Sequence, residues 1–335
     1  MKSGLIATLC LTASLVMSAS TSAMAETSGA ILFNGMKNDG GFNEQGVVGT
    51  ERATGEVKIA IRERVTADEA ETEQTLRQFA DRGVQHLVTL GFANTDAVKK
   101  VAAEYPDVKF TIIDGFIPDM PNVRSVLFAE QEAGFLAGYA AGLKSQSGKV
   151  GTIGGMDIPP VRKFMCGFAA GAKAAKPDVT IAAEYAGDTP LAFRDVEGGQ
   201  RIAEGMLAEG VDVIFAPAGR TAEGVAQAAQ TAGAFAIMVD TNQNGFIPGT
   251  ILTSATKRVD EAVYTTWKAA ADGSWEPGVV TMTLAENGVD WAVDEHNEAI
   301  VSGIKAEVEG AKAALANGTM TIGAVSEIAG CADVL

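Results

Sequence analysis

Short apolar runs alternate with helix-patterned segments along almost the whole chain, and the alternation is run through twice. Runs at 30–34, 58–65, 86–91, 109–115 and 123–128 read as strands, with helices expected over 43–55, 67–83 and 95–104. The pattern restarts with strands at 149–155, 180–187, 211–218 and 235–240. Strands that are apolar throughout, rather than at every second residue, belong to parallel sheets covered by helices on both faces. That makes the fold class α/β. An internal echo sharpens the expectation. "DRGVQHLVTLGF" (81–92) resembles "AEGVDVIFAPAG" (208–219), with Gly83 against Gly210, and an aspartate follows each glycine at nearly equal spacing, Asp114 after 31 residues and Asp240 after 30. One repeat offset by 127 residues, from Gly83 to Gly210, is far longer than a solenoid unit. Two lobes of like topology are expected.

The chain then returns through a strand at 251–257, a helix at 258–271, a strand at 279–284 and a last helix at 297–316. A tail of this kind revisits the first lobe, so several crossings join the two. The expected division is a leader at 1–25, a first lobe of 26–127 plus 254–283, and a second lobe of 128–253 plus 284–335. The crossings are natural hinges, and the gap between lobes is a natural binding cleft. In open parallel sheets ligands lie beyond the carboxyl ends of the strands. This nominates Asn34, Gly40 and Phe42 after the first strand, Gly91 and Phe92 after the third, and Asp114 at the end of the fourth. In the second lobe it nominates Met156 and Asp157, Phe215 with Gly219, and Asp240. "NDGGFNE" (38–44) sets Phe42 on a Gly-rich turn at the cleft rim, where an aromatic face can meet a flat ligand.

Lys2 is followed by an apolar run over 4–17 and then by Ala23-Met24-Ala25. This is the pattern of a secretory signal peptide, and the run is too short to span a bilayer. Leu9 precedes Cys10 where a lipidation site needs a small residue, so a periplasmic protein without a lipid anchor is expected, beginning near Glu26. The chain is 47% hydrophobic with a mean hydropathy of +0.13, which excludes global disorder. Its formal charge of −16 becomes one unit more negative when Lys2 is lost. Such acidity argues against nucleic acid or an anionic membrane surface as a partner. Beyond the leader two cysteines remain, Cys166 and Cys331, and in an oxidising compartment a lone pair favours a disulfide.

Catalytic and metal-binding patterns are missing. The two histidines, His86 and His296, have no Cys or His partner at metal-ligand spacing, so no zinc site is expected. No G-x-G-x-x-G, P-loop or G-x-S-x-G occurs, so no nucleotide cofactor or serine nucleophile is expected. "TADEAETEQ" (66–74) is a solvated helix face.

The segments "NDGGFNE", "VKFTIIDG", "VRSVLFAEQEAGFLAGYAAG", "GKVGTIGGMDIPPVRKFMCGFAAGAK", "GVDVIFAPAG", "VDTN" and "TSATKRVDEAVY" appear in that order. With them, nearly the whole chain resembles the basic membrane protein family, the nucleoside-binding receptors of ABC importers. The resemblance implies the type I periplasmic-binding-protein fold, two Rossmann-like lobes with parallel sheets and a multi-crossing hinge. It implies a monomeric receptor, not an enzyme, that captures a purine nucleoside and delivers it to a permease and its ATPase. It implies site roles as well. Phe42 and Phe215 sandwich the base, Asp114 accepts hydrogen bonds from the base edge, Asp240 holds the ribose hydroxyls and Lys257 reaches the sugar. Asn34, Asp39, Asn43, Met156 and Gly219 complete the lining. Stacking of a base on an aromatic is worth about 1–3 kcal/mol, and two vicinal hydroxyls suit an ionised carboxylate. Two departures from the family pattern bear on specificity: Asn34 stands where relatives carry an acid, and Arg220 where they carry glycine. The alternative ligands are a free nucleobase or a small sugar. The alternative activity is nucleoside hydrolysis, for which no clustered-aspartate metal site is nominated.

Overall fold

The computed structural model describes residues 28–322. The leader and Cys331 lie outside them.

The first lobe begins with strand β1 (Ser28–Asn34), buried along its interior as an apolar strand with two covered faces must be. There follow α1 (Phe42–Glu56), β2 (Ala60–Thr66), α2 (Glu69–Asp81), β3 (His86–Leu90), α3 (Thr95–Glu104), β4 (Lys109–Ile113) and β5 (Val123–Phe128). The chain crosses into the second lobe and repeats itself. This lobe holds α4 (Glu130–Lys144), β6 (Lys149–Gly154), α5 (Pro159–Ala175), β7 (Thr180–Tyr185), α6 (Val196–Ala208), β8 (Val213–Phe215), α7 (Thr221–Ala232), β9 (Phe235–Asp240) and β10 (Ile251–Lys257). It returns to the first lobe for α8 (Val259–Asp272) and β11 (Gly278–Met282). It ends in the second with β12 (Val289–Trp291), α9 (Glu298–Val301) and α10 (Lys305–Ala316).

The two sheets have the same strand order, β11-β5-β4-β3-β1-β2 and β12-β10-β9-β8-β6-β7. The echo in the sequence is therefore an echo in space. Gly83 and Gly210 both adopt positive φ, 80° and 90°, at the turn into the third strand of each lobe. The copies differ at one edge: β11 runs parallel to β5, whereas β12 runs antiparallel to β10.

Three details depart from expectation. The boundary expected at 254 falls inside β10, which stays hydrogen-bonded to β9 up to Thr256, so the chain crosses only after Lys257. The helix expected over 297–316 is broken between α9 and α10. β12, of three residues, is too short to leave a periodic signal.

Helices α4 and α5 pack backbone to backbone. A Cβ at Gly138 would stand 1.9 Å from the Phe168 carbonyl oxygen, and one at Gly171 the same distance from that of Phe135. This explains the small-residue runs "FLAGYAAG" and "CGFAAGAK". The three crossings run side by side at the hinge. Ala129 N donates to the Met282 carbonyl at 3.0 Å, and Leu284 N to the Glu132 carboxylate at 2.6 Å.

Candidate functional site

The two echoing aspartates stand at the same place in the two sheets. Asp114 follows β4, Asp240 ends β9, and both adopt φ of +69°. A non-glycine residue in the left-handed region is uncommon, though aspartate tolerates it better than most. Such conformations concentrate at functional sites.

Asp114 is 8% exposed. Its Oδ2 accepts from Lys257 Nζ at 2.5 Å, while its Oδ1 is buried with no hydrogen-bond partner among the described residues. Burial, opposed by Lys257, pushes its pKa up to about 6. Lys257, at the end of β10, is fully buried and also donates to Glu130 Oε1 at 2.9 Å. Burial pulls its pKa down, but Asp114, Glu130 and Asp240 together outweigh burial and the net direction is up. The ammonium is thus held charged. It stands 4.8 Å from the Phe128 ring centroid and 5.3 Å from that of Phe42. The other oxygen of Glu130 meets Lys163 Nζ at 3.3 Å.

Asp240 is half-buried, and its carboxylate has no hydrogen-bond partner among the described residues. Burial, opposed by Lys257 and reinforced by Asp39, pushes its pKa up to about 7. The first lobe's turn is laid against it: a Cβ at Gly41 would stand 3.4 Å from Asp240 Oδ2. Three hydrogen bonds tie the lobes here. Gln45 Nε2 donates to the backbone oxygens of Asp240 (2.8 Å) and Lys257 (2.7 Å), and Thr241 Oγ1 donates to that of Gly40 (2.8 Å).

Phe42 opens α1 and is half-buried, its ring edge over Gly91. Around the Lys257 ammonium the structure therefore brings together Phe42, Asp114 and Asp240, from segments far apart in sequence. Asn34 is half-buried at the end of β1, and its backbone oxygen accepts from Asn43 Nδ2 at 3.3 Å. Asn43 Oδ1 is buried and unpartnered among the described residues. Met156 is half-buried just beyond β6, and Gly219 takes φ of +56° against the Phe193 carbonyl.

Three expected roles are corrected. Phe215 is fully buried, stacked on Phe168 at 5.4 Å and edge-on to Phe164 at 5.9 Å. It ends β8 with its ring in the core beneath α5, so no face is left for a ligand. Asp39 caps α1: its carboxylate accepts from the backbone N–H of Gly41, Asn43 and Glu44 and from Asn43 Nδ2, all within 3.1 Å. These bonds satisfy the open amides of the first helical turn. Lys257 has two of its three N–H donors committed to Asp114 and Glu130, so its place is in an internal charge network rather than reaching out to a sugar.

Two site residues escaped the sequence reading. Phe193 ends a single 3-10 turn, Pro190–Phe193, beyond β7. Half-buried, it lies over Gly155, where a Cβ would stand 2.3 Å from its ring. Its backbone oxygen accepts from Arg220 N at 2.9 Å, so this second-lobe aromatic sits at the carboxyl ends of β6 and β8. It was missed because its loop matches no strand-end position. The aromatic in "LAFRD" was the available signal. Glu130 was missed although an acid amid "FAEQEAGFLAG" is conspicuous in so apolar a helix. Arg220 pairs with Glu223 at 2.8 Å, with Asp39 of the opposite lobe adding to its field.

Among the described residues no cluster of three or more His, Cys, Asp or Glu is placed to hold a metal. Cys166 is disulfide-bonded; Cys331, the expected partner, lies outside the described residues.

A family model described as PnrA-like ABC transporter substrate-binding protein matches residues 26–322. An uncharacterized lipoprotein of Pyrococcus abyssi is 35% identical over 79% of this chain and 69% of its own. Basic membrane protein A2 of Borrelia garinii is 33% identical over 70% of this chain and 69% of its own. The solved structure of an ABC transporter system solute-binding protein from Aeropyrum pernix superimposes with a TM-score of 0.73, at 31% identity, over 90% of this chain and 84% of that one. The architecture is that of the type I periplasmic-binding-protein fold, both lobes included. The comparisons also correct the expected address. Relatives from three Pyrococcus species are named lipoproteins, which points to a lipoprotein rather than to a protein without an anchor. The expectation of no anchor rests on Leu9 before Cys10 and on the short stretch of chain upstream of it, in a leader that lies outside the described residues.

Proposed function

The chain belongs to the PnrA-like family of ABC-transporter substrate-binding proteins, and from that premise we propose that its cleft takes a purine ribonucleoside. The family implies a small-molecule ligand and a permease partner. The observation that carries the finer reading is that each lobe sets one half-buried aromatic, Phe42 or Phe193, and one carboxylate, Asp114 or Asp240, at the carboxyl ends of its strands. A purine offers two π-faces to two rings. Its N–H edge offers donors to Asp114 Oδ1, a buried acceptor without a partner among the described residues. Vicinal ribose hydroxyls offer two donors to Asp240, whose carboxylate is likewise unbonded among them. Ligand binding would satisfy acceptors that are costly to leave unpaired when desolvated. Lys257 acts through Asp114, holding that carboxylate charged and fixed. Asn34 and Asn43 add mixed donor and acceptor capacity beside the base. No bond is made or broken in this reading. A disulfide between Cys166 and Cys331 would staple the chain end to α5.

Calorimetry with inosine, 2′-deoxyinosine and hypoxanthine tests it. Inosine should bind tightest. Asp240→Ala removes charge-assisted hydrogen bonds worth about 1.5–3 kcal/mol, so inosine should weaken roughly 10-fold or more and hypoxanthine much less. The penalty for the missing 2′-hydroxyl should shrink in the variant, as coupled partners require. Tighter binding of hypoxanthine than of inosine, or of neither, sinks the nucleoside reading.

A further inference from the structure

The hinge carries buried charge that ligand contact does not explain. Lys257 is the last residue of β10 before the second crossing, and Glu130 is the first residue of α4 after the first crossing. Both are about 1% exposed and lie 2.9 Å apart. On its far side Glu130 meets Lys163 of α5 at 3.3 Å, and Lys163 also donates to the backbone oxygen of Phe128, the last residue of β5, at 3.2 Å. On its near side Lys257 meets Asp114 of the first lobe at 2.5 Å. The chain Asp114–Lys257–Glu130–Lys163 therefore runs from the cleft through two crossings into the helical layer of the second lobe. Burying such charges is unfavourable unless each is paired. Both carboxylate oxygens of Glu130 are taken by lysines.

We propose that Glu130 is a positioning residue of the binding site, which holds the Lys257 ammonium across the hinge so that Asp114 keeps one oxygen clamped and the other turned free for a ligand. Removing it leaves Asp114 as the one carboxylate hydrogen-bonded to Lys257 among the described residues and unties the two crossings from each other. This rests on Asp114 as a ligand-facing carboxylate. Its test therefore has one arm that needs no ligand.

In the unliganded protein the Asp114 carboxyl carbon is followed by 13C NMR against pH, with Asp114→Asn giving the assignment. Four charged groups act on it: Lys257 of β10, Glu130 of α4, Lys163 of α5 and Asp240 of β9. Glu130 disfavours its ionisation, so in Glu130→Gln its midpoint should move to lower pH. Glu104→Gln, on the outer face with Arg77, should leave it unmoved. Should Glu130→Gln fail to fold, Glu130→Gln with Lys257→Met removes the pair together, and the midpoint should then rise, the cation being lost. In the second arm, Glu130→Gln weakens inosine about 10-fold, Glu130→Asp recovers part of this, and the double variant with Asp114→Asn is no weaker than Asp114→Asn alone. An unmoved midpoint, or losses that simply add, overturns the proposal. A wild type that binds no inosine, together with a shifted midpoint in Glu130→Gln, removes the nucleoside reading and leaves Glu130 in its role.

Discussion

Asp114 and Asp240 occupy the same place in two copies of one fold, yet their surroundings differ. Each ends the fourth strand of its lobe with φ of +69°. Asp114 is clamped by a buried ammonium; Asp240 has no hydrogen-bond partner for its carboxylate among the described residues. The difference lies in where the second crossing delivers Lys257, not in the strand that carries either aspartate. Topology sets the position of a strand-end residue, and the chain's path through the hinge sets its charge environment. One copy thereby holds a fixed, ion-paired carboxylate, the other a carboxylate without such a clamp among the described residues.

The harshest way to break the comparison is Lys257→Met. It leaves Asp114 and Glu130 buried 1–8% exposed without their shared counter-ion, which should destabilise by about 3–5 kcal/mol. Urea unfolding at pH 7.5 measures it, and a loss below 1 kcal/mol would show that Asp114 is no more clamped than Asp240.

The aromatic pair of the second lobe gives the next contrast. Phe215→Ala empties a core position and should destabilise by about 3–5 kcal/mol. Phe193→Ala should spare stability and weaken inosine by about 1–3 kcal/mol. If instead Phe215→Ala folds normally and loses only ligand, the stacking roles are the reverse of those argued here.

The smallest effect is the most diagnostic. Asp240 has a folded-state pKa raised to about 7, above its unfolded value near 3.9. An acid raised in this way is at no disadvantage below about pH 4 and progressively destabilises the fold as pH rises to about 7. Asp240→Asn should therefore stabilise the unliganded protein at pH 8 by about 1 kcal/mol, the carboxylate being partly screened by solvent, and change nothing near pH 4. Asp114 is raised only to about 6 and its loss costs Lys257 a partner, so Asp114→Asn should stabilise less at pH 8 than Asp240→Asn does. Thermal unfolding of both variants across pH separates them, and equal shifts of the same sign would erase the distinction between the two lobes.

Much of the architecture was legible in one dimension. Continuous apolar strands, helix-patterned spacers and the Gly83/Gly210 and Asp114/Asp240 echo are local signals, set by burial on two faces and by turn stereochemistry, and they determined the paired α/β lobes and the strand ends that meet at the cleft. The same logic placed Phe42, Asp114 and Asp240. What only the tertiary structure decided was which way each side chain is used. Phe215 and Phe193 are both aromatics of one lobe. The pairing of β8 beneath α5 buries one, and a 3-10 turn carries the other to the strand ends. Asp39 stands among the cleft candidates, but four donors at the start of α1 claim it. Glu130 and Lys257 are 127 residues apart (257 less 130) and meet because two crossings lie side by side. Strand and turn are short-range consequences of sequence, whereas the partner of a buried charge is chosen by whichever distant segment the fold sets beside it.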